Sequence, residues 1–192
     1  MKKLVLYIFV GLMFCNVVFA NDIEDFEVEG MSIGDSLLDY FTEKEIQENL
    51  PYENWKGKKF DAFEFISTEK FNEYDAVQIG IKPLDKKYIM YSVEGMMSFD
   101  KNFPNCLKKM EEVKTEIEEL KNLKKKDFGF TNHRADKTGK SKYTTTSYNF
   151  PNEDRILIQC YSWYKKMNRI DHLRIALRTK EYSYWLINDA YK

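Results

Sequence analysis

Apolar and polar residues follow one another in three rhythms along this chain. Residues 4–14 form an unbroken apolar run except for Gly11. Further on, six short segments alternate with period two, which predicts strands. In 76–82, Val77, Ile79 and Ile81 share one side, opposite Gln78, Gly80 and Lys82. In 170–178, Leu173, Ile175 and Leu177 oppose His172, Arg174, Ala176 and Arg178. The other four are the aromatic-rich 60–67, then 88–94, 143–150 and 155–163; the turn-like 83–87 suggests an antiparallel hairpin around it.

The third rhythm is helical. Ser32 with Asp35 reads as a capping box ahead of Ile33, Leu37, Leu38 and Phe41, and Thr42 with Glu45 as a second one, so two short helices are expected near the N-terminus. Pro104 opens the longest helix, predicted to run to about Lys126, with Leu107, Met110, Val113, Ile117, Leu120 and Leu123 as its apolar stripe and mixed Glu and Lys elsewhere. Thr179 is positioned to cap a final helix through Tyr182, Trp185, Leu186 and Ala190. The expected class is therefore α+β: an antiparallel sheet of about six strands from two βββα units, with helices mainly on one face and two short helices in front. No Gly/Ser/Pro-rich linker divides residues 21–192, which reads as a single domain.

The apolar run changes where that domain is expected to work. Lys2 and Lys3 precede it, and Val18 and Ala20 put small residues at the third and first positions before Asn21. This is the layout of a secretory signal peptide over residues 1–20, cut at about Ala20/Asn21. The expected location is periplasmic or secreted. An uncleaved segment would instead tether the domain to a membrane, the only route by which a membrane partner is expected. Phe14 stands where lipid attachment at Cys15 would want a small residue, so an ordinary apolar-region cysteine is the preferred reading there.

Loss of the leader leaves two cysteines, Cys106 on the apolar side of the long helix and Cys160 in register with Ile156 and Ile158. An even count in an oxidising compartment predicts a Cys106–Cys160 disulfide, against the alternative of two buried thiols. The chain carries 30 basic and 31 acidic side chains, and removing Lys2 and Lys3 moves the net charge from −1 to −3. That balance gives no electrostatic case for nucleic acid.

Motifs with chemistry are few. Thr138-Gly139-Lys140-Ser141 resembles the end of a phosphate-binding loop, but Arg134 stands where the first glycine belongs, and a polar connection between strands is the better reading. His133, Asp136 and His172 lack metal-ligand spacing, and Asp171 and His172, as strand neighbours, point to opposite faces. No serine lies in a nucleophile-elbow pattern. No catalytic residue, cofactor or metal is assigned. The candidate binding surface is His172, Arg174, Arg178, Tyr161 and Trp163, with Thr144 and Thr146 on a neighbouring run: a basic and aromatic sheet face suited to a protein, peptide or glycan. Its competitor is a solvated face, or one covered by the terminal helix. The function expected is a non-enzymatic exported binding protein. The alternatives are an envelope enzyme whose residues meet only in three dimensions, and a membrane-tethered envelope domain.

Residues 29–41 (EGMSIGDSLLDYF), 88–95, 136–142 (DKTGKSK), 171–175 (DHLRI) and the closing Glu181-Tyr182, Trp185-Leu186 and Ala190-Tyr191-Lys192 resemble an uncharacterised family of small signal-peptide-bearing exported bacterial proteins. The resemblance spans most of the mature chain and implies export but no activity. Gly30-Met31-Ser32 is also similar, over those residues alone, to the small lipoprotein of the outer-membrane barrel assembly machinery.

Overall fold

A computed structural model describes residues 22–49, 59–66, 69–119 and 123–190; the expected signal peptide lies outside the described residues. Seven strands form one antiparallel sheet: β1 (Asp61–Ile66), β2 (Ala76–Ile81), β3 (Met90–Ser98), β4 (Lys124–Asn132), β5 (Lys142–Asn149), β6 (Arg155–Ser162) and β7 (His172–Arg178). Their order is β1-β2-β3-β7-β6-β5-β4, two meanders joined along β3 and β7. Among the described residues the helices are α1 (Glu43–Glu48), α2 (Phe103–Glu118) and α3 (Lys180–Asn188), with short 3-10 turns at Ile23–Asp25, Leu37–Asp39 and Lys165–Met167.

The α+β class and the antiparallel meanders agree with the sequence reading, but the strand count is seven. The extra strand is β4. The long helix stops at Glu118, one residue beyond Ile117, its last buried apolar position. Its stripe of Cys106, Met110, Val113 and Ile117 docks on the sheet, whereas residues 124–132 gain more by pairing with β5. All nine β4 residues are exposed, so this edge strand lacks the one-sided burial that alternation detects.

Strand parity separates two faces. On the first, Phe63 and Phe65 of β1, Val77, Ile79 and Ile81 of β2, and the apolar positions of β6 and β7 share one core with α2 and the N-terminal residues Ile23, Phe26, Val28, Met31, Ile33, Leu37, Phe41 and Ile46. Each large side chain buried there contributes roughly 1.5–3 kcal/mol. The disulfide Cys106–Cys160 fastens α2 to β6 on this face. Glu29 holds the N-terminal segment against the 72–74 turn by accepting from the backbone N–H groups of Asn72, Glu73 and Tyr74 at 2.7–2.9 Å.

The second face carries α3. Tyr182 and Trp185 pack with Phe60 and Ala62, and a Cβ at Gly80 would lie 2.3 Å from the Tyr182 ring. The helices therefore lie on opposite faces rather than mainly on one. This also removes a rotational repeat of two βββα units, because a twofold axis through the β3–β7 seam would place both helices on the same side.

Of the two expected N-terminal helices, the second is present as α1, with both bonds of its Thr42–Glu45 capping box. The first shrinks to the 3-10 turn Leu37–Asp39. Asp35 does accept from Ser32 N–H at 3.0 Å, but Gly34 takes φ +90° and Ser36 bridges to Ile89. Pairing with the chain ahead of β3 replaces continuation of the helix.

Candidate binding face

On the second face, register aligns side chains in rows across the strands. One row is Ser98, His172, Tyr161 and Tyr143; the next is Met96, Arg174, Gln159 and Thr145; a third is Gln78, Glu94, Ala176 and Leu157; the fourth is Gly80, Ser92, Arg178 and Arg155.

The first row is aromatic. Tyr161 is stacked on both sides, against His172 at 4.6 Å and 16° and Tyr143 at 5.2 Å and 20°. Trp163, just past β6, lies parallel to Tyr161 at 5.9 Å, and His133 leans onto Trp163 at 4.4 Å. Arg169 and Arg174 place guanidinium groups 4.8 Å from the Trp163 ring and 5.6 Å from the Tyr161 ring, within cation–π range. His172 Nδ1 lies 2.9 Å from the Ile170 carbonyl oxygen. The ring therefore carries its proton on Nδ1 in the neutral form, leaving Nε2 as a lone-pair acceptor. Burial is the largest influence lowering His172 to about 4, and Arg174, Arg169 and His133 push the same way. Burial and three arginines also lower His133. Both imidazoles are thus neutral at pH 7.

Behind the rings lies a buried ion cluster. Glu94 is 1% exposed and accepts from Arg178 Nε at 2.7 Å and Nη2 at 2.9 Å, and from Ser92 Oγ at 2.8 Å, with Arg174 Nη1 at 3.3 Å. Burial alone would raise this carboxyl. The two arginines and the hydrogen bonds outweigh it and hold the group at about 2, while Glu94 in turn raises Arg178. Four nitrogens on this side of the molecule are buried without a hydrogen-bond partner: His172 Nε2, Trp163 Nε1, Arg174 Nε and Arg155 Nε.

The rings end at a pair of linked loops, 133–141 and 163–171. Asp136 accepts from the backbone and hydroxyl of both Thr138 and Ser141 at 2.6–2.9 Å, and Thr138 and Ser141 hold its carboxyl well below the usual range. Ser141 Oγ accepts from Tyr164 N–H, and Asp171 from Trp163 N–H at 2.7 Å. The Thr138–Ser141 segment is thus a polar connection between β4 and β5, as its sequence indicates.

All five candidate residues come to one face, but not on equal terms. His172, Arg174 and Trp163 are partly exposed, whereas Tyr161 and Arg178 are buried at 9% and 8%. Arg178 is an internal ion partner rather than a surface group. Thr144 and Thr146 belong to the opposite face, paired with Cys160 and Ile158, and Tyr143 and Thr145 occupy the positions expected of them. Sequence reasoning missed Glu94, Tyr143, His133 and Arg169. Glu94 shares a strand face with Ser92, and the β3–β7 pairing between distant strands brings it to Arg178. Among the described residues no group of three or more His, Cys, Asp or Glu side chains is arranged to hold a metal ion.

No family model, curated protein or solved structure matches this chain. The reading of this face therefore rests on its own geometry.

Proposed function

We propose that this is an exported, non-enzymatic binding domain that meets an envelope macromolecule at the ring-and-arginine end of its second sheet face. The observation carrying this reading is the joint placement of Trp163, His172, Arg174 and Arg169, rings and guanidinium groups that are at least partly exposed at one end of the face. The Cys106–Cys160 bond supports an oxidising location, in keeping with the leader over residues 1–20. Two segments behind the resemblance to small exported proteins, 136–142 and 171–175, sit at this end, which makes kinship with that family part of the same proposal.

The test is capture from envelope extract by the mature domain, beside Trp163→Ala/Arg174→Ala. A component retained by the native domain and lost by the folded variant is the expected result. Identical retention, or none by either protein, ends the proposal.

A further inference from the structure

The methionines among the described residues divide by exposure. Met31, Met90 and Met110 are at most 3% exposed, whereas Met96, Met97 and Met167 are partly exposed. Met97 packs against the α2-side core, and Met167 stands in the 3-10 turn Lys165–Met167. Met96 belongs to the second face, in the row with Arg174, Gln159 and Thr145. Its partner on the β2 side is the small Ala76, and the next residue of β3 on this face, Ser98, is exposed.

The Met96 sulfur already has a cationic donor. Arg174 Nη2 lies 3.4 Å from Met96 Sδ and donates to it, although a thioether is a weak acceptor. The tie from Arg174 to Glu94 is also long, with Nη1 at 3.3 Å. Arg178 holds the same carboxylate at 2.7 and 2.9 Å, and Ser92 Oγ at 2.8 Å. Glu94 therefore keeps three hydrogen bonds and a countercharge if Arg174 turns away. The Arg174 side chain is 22% exposed, and its guanidinium lies 5.6 Å from the Tyr161 ring. It is a cation held by loose contacts, on the face assigned to binding.

We infer that Met96 is a reversible oxidation site whose sulfoxide captures Arg174 and so weakens binding at this face. The inference rests on the binding reading above and supplies its regulation. The oxidant is a peroxide. Sulfur attacks one peroxide oxygen, an S–O bond forms as the O–O bond breaks, and the departing hydroxide takes the remaining proton to become water. Sulfur gives up two electrons and the peroxide accepts them. The oxygen gained makes the apolar side chain polar, and it lies within reach of the guanidinium that already faces the sulfur. Donation to this stronger acceptor draws Arg174 from Glu94 and from the Tyr161 ring. Reversal takes a methionine sulfoxide reductase and a dithiol, the oxygen leaving as water while the dithiol becomes a disulfide.

The experiment treats the mature domain with dilute hydrogen peroxide and locates the added oxygen by peptide mass spectrometry. Arginine side-chain NMR and capture from envelope extract are compared before and after, beside Met96→Leu, a substitution close in volume that keeps the fold. Met96 is expected to gain one oxygen while Met31, Met90 and Met110 stay reduced. The Arg174 guanidinium signal should move and that of Arg178 hold still. Retention of the captured component should fall about fivefold with the loss of one charged contact, and the reductase should restore both readings. Met96→Leu, in which Met97 and Met167 still oxidise, should show neither change. Met96 staying reduced while Met97 or Met167 is oxidised would overturn the inference, as would a sulfoxide that leaves the Arg174 signal unmoved. A shifted Arg174 with unchanged retention removes the regulation and leaves the binding face standing. If the untreated domain retains nothing, the binding reading fails and the regulation with it.

Discussion

The face under α2 and the face under α3 are built from alternate residues of the same strands, yet they are stabilised by different physics. On the α2 side, apolar side chains from every layer meet in one cluster, with a covalent tie from helix to sheet. On the α3 side, apolar packing is confined to one end around Phe60, Tyr182 and Trp185. The rest depends on a buried carboxylate shared by two arginines and on rings stacked across strands. Apolar packing is tolerant, since a lost methylene costs only its own contacts and a small void. A buried ion cluster is not, because removal of one member strands the others. The second face is therefore the more brittle, though it buries less apolar surface.

The sharpest way to break this contrast is at Glu94. Glu94→Gln is expected to destabilise the domain by about 3–5 kcal/mol, since Arg178 stays buried without a countercharge; chemical denaturation measures it. Glu94→Leu/Arg178→Met removes both charges. If the cluster matters only for stability, this double variant recovers most of the loss. A double variant as unstable as the single one would show that Arg174, rather than Arg178, is the group left stranded.

On the other face, Cys106→Ser/Cys160→Ser opens a loop of sequence separation 54. By the chain-entropy argument it should cost about 4 kcal/mol, seen as a lower Tm that reductant does not change further. A smaller effect is expected from Gly80→Ala, whose new methyl group meets the Tyr182 ring, at about 1–3 kcal/mol for overpacking. Gly95→Ala meets Tyr74 in the same way on the α2 side, so measuring both compares the compliance of the two faces directly.

The last effect is in pH. His172 titrates near 4 when folded and near 6.5 when unfolded, so the unfolded chain binds the extra proton. Its contribution is complete above pH 6.5 and is lost as pH falls toward 4, with a slope of at most about 1.4 kcal/mol per pH unit. His133 is lowered as well and adds in the same direction. His172→Gln should flatten the stability profile between pH 6.5 and 4.5 relative to the native protein, and an unchanged profile would refute the assignment. Glu94, held at about 2, has the opposite charge logic but the same sign: its stabilisation is present above its unfolded value near 4.3 and disappears on acidification through 2.

Much of the first face was legible in the residues themselves. Val77, Ile79 and Ile81 repeat at two, and Cys106, Met110, Val113 and Ile117 at three and four, so both inner surfaces follow from local pattern, while the cysteine pairing followed from the even count left once the expected leader is set aside. The second face was legible only in part. Parity put His172, Arg174 and Arg178 together, because that requires one strand. It could not supply Glu94, which sits 84 positions before Arg178 and reaches it through pairing of strands far apart in sequence. Thr144 and Thr146 were misplaced by one position because three consecutive threonines, 144–146, give no alternation to fix the phase. The helix–strand boundary failed for a related reason: Lys124-Lys125-Lys126 suits a helix end as well as it suits an exposed edge.

That edge has its own consequence. A sheet ending in an unpaired strand invites another strand to add to it. Along β4 an incoming partner would find three adjacent lysines and then a break in the hydrogen-bond ladder, where Gly129 takes φ +63° and the register slips between Asp127 and Phe130. Phe128 and Phe130 beside it are exposed at 51% and 62%, the kind of residues that drive strand-on-strand polymerisation. The repulsive, interrupted rim guards against fibre growth through this side even in a crowded compartment.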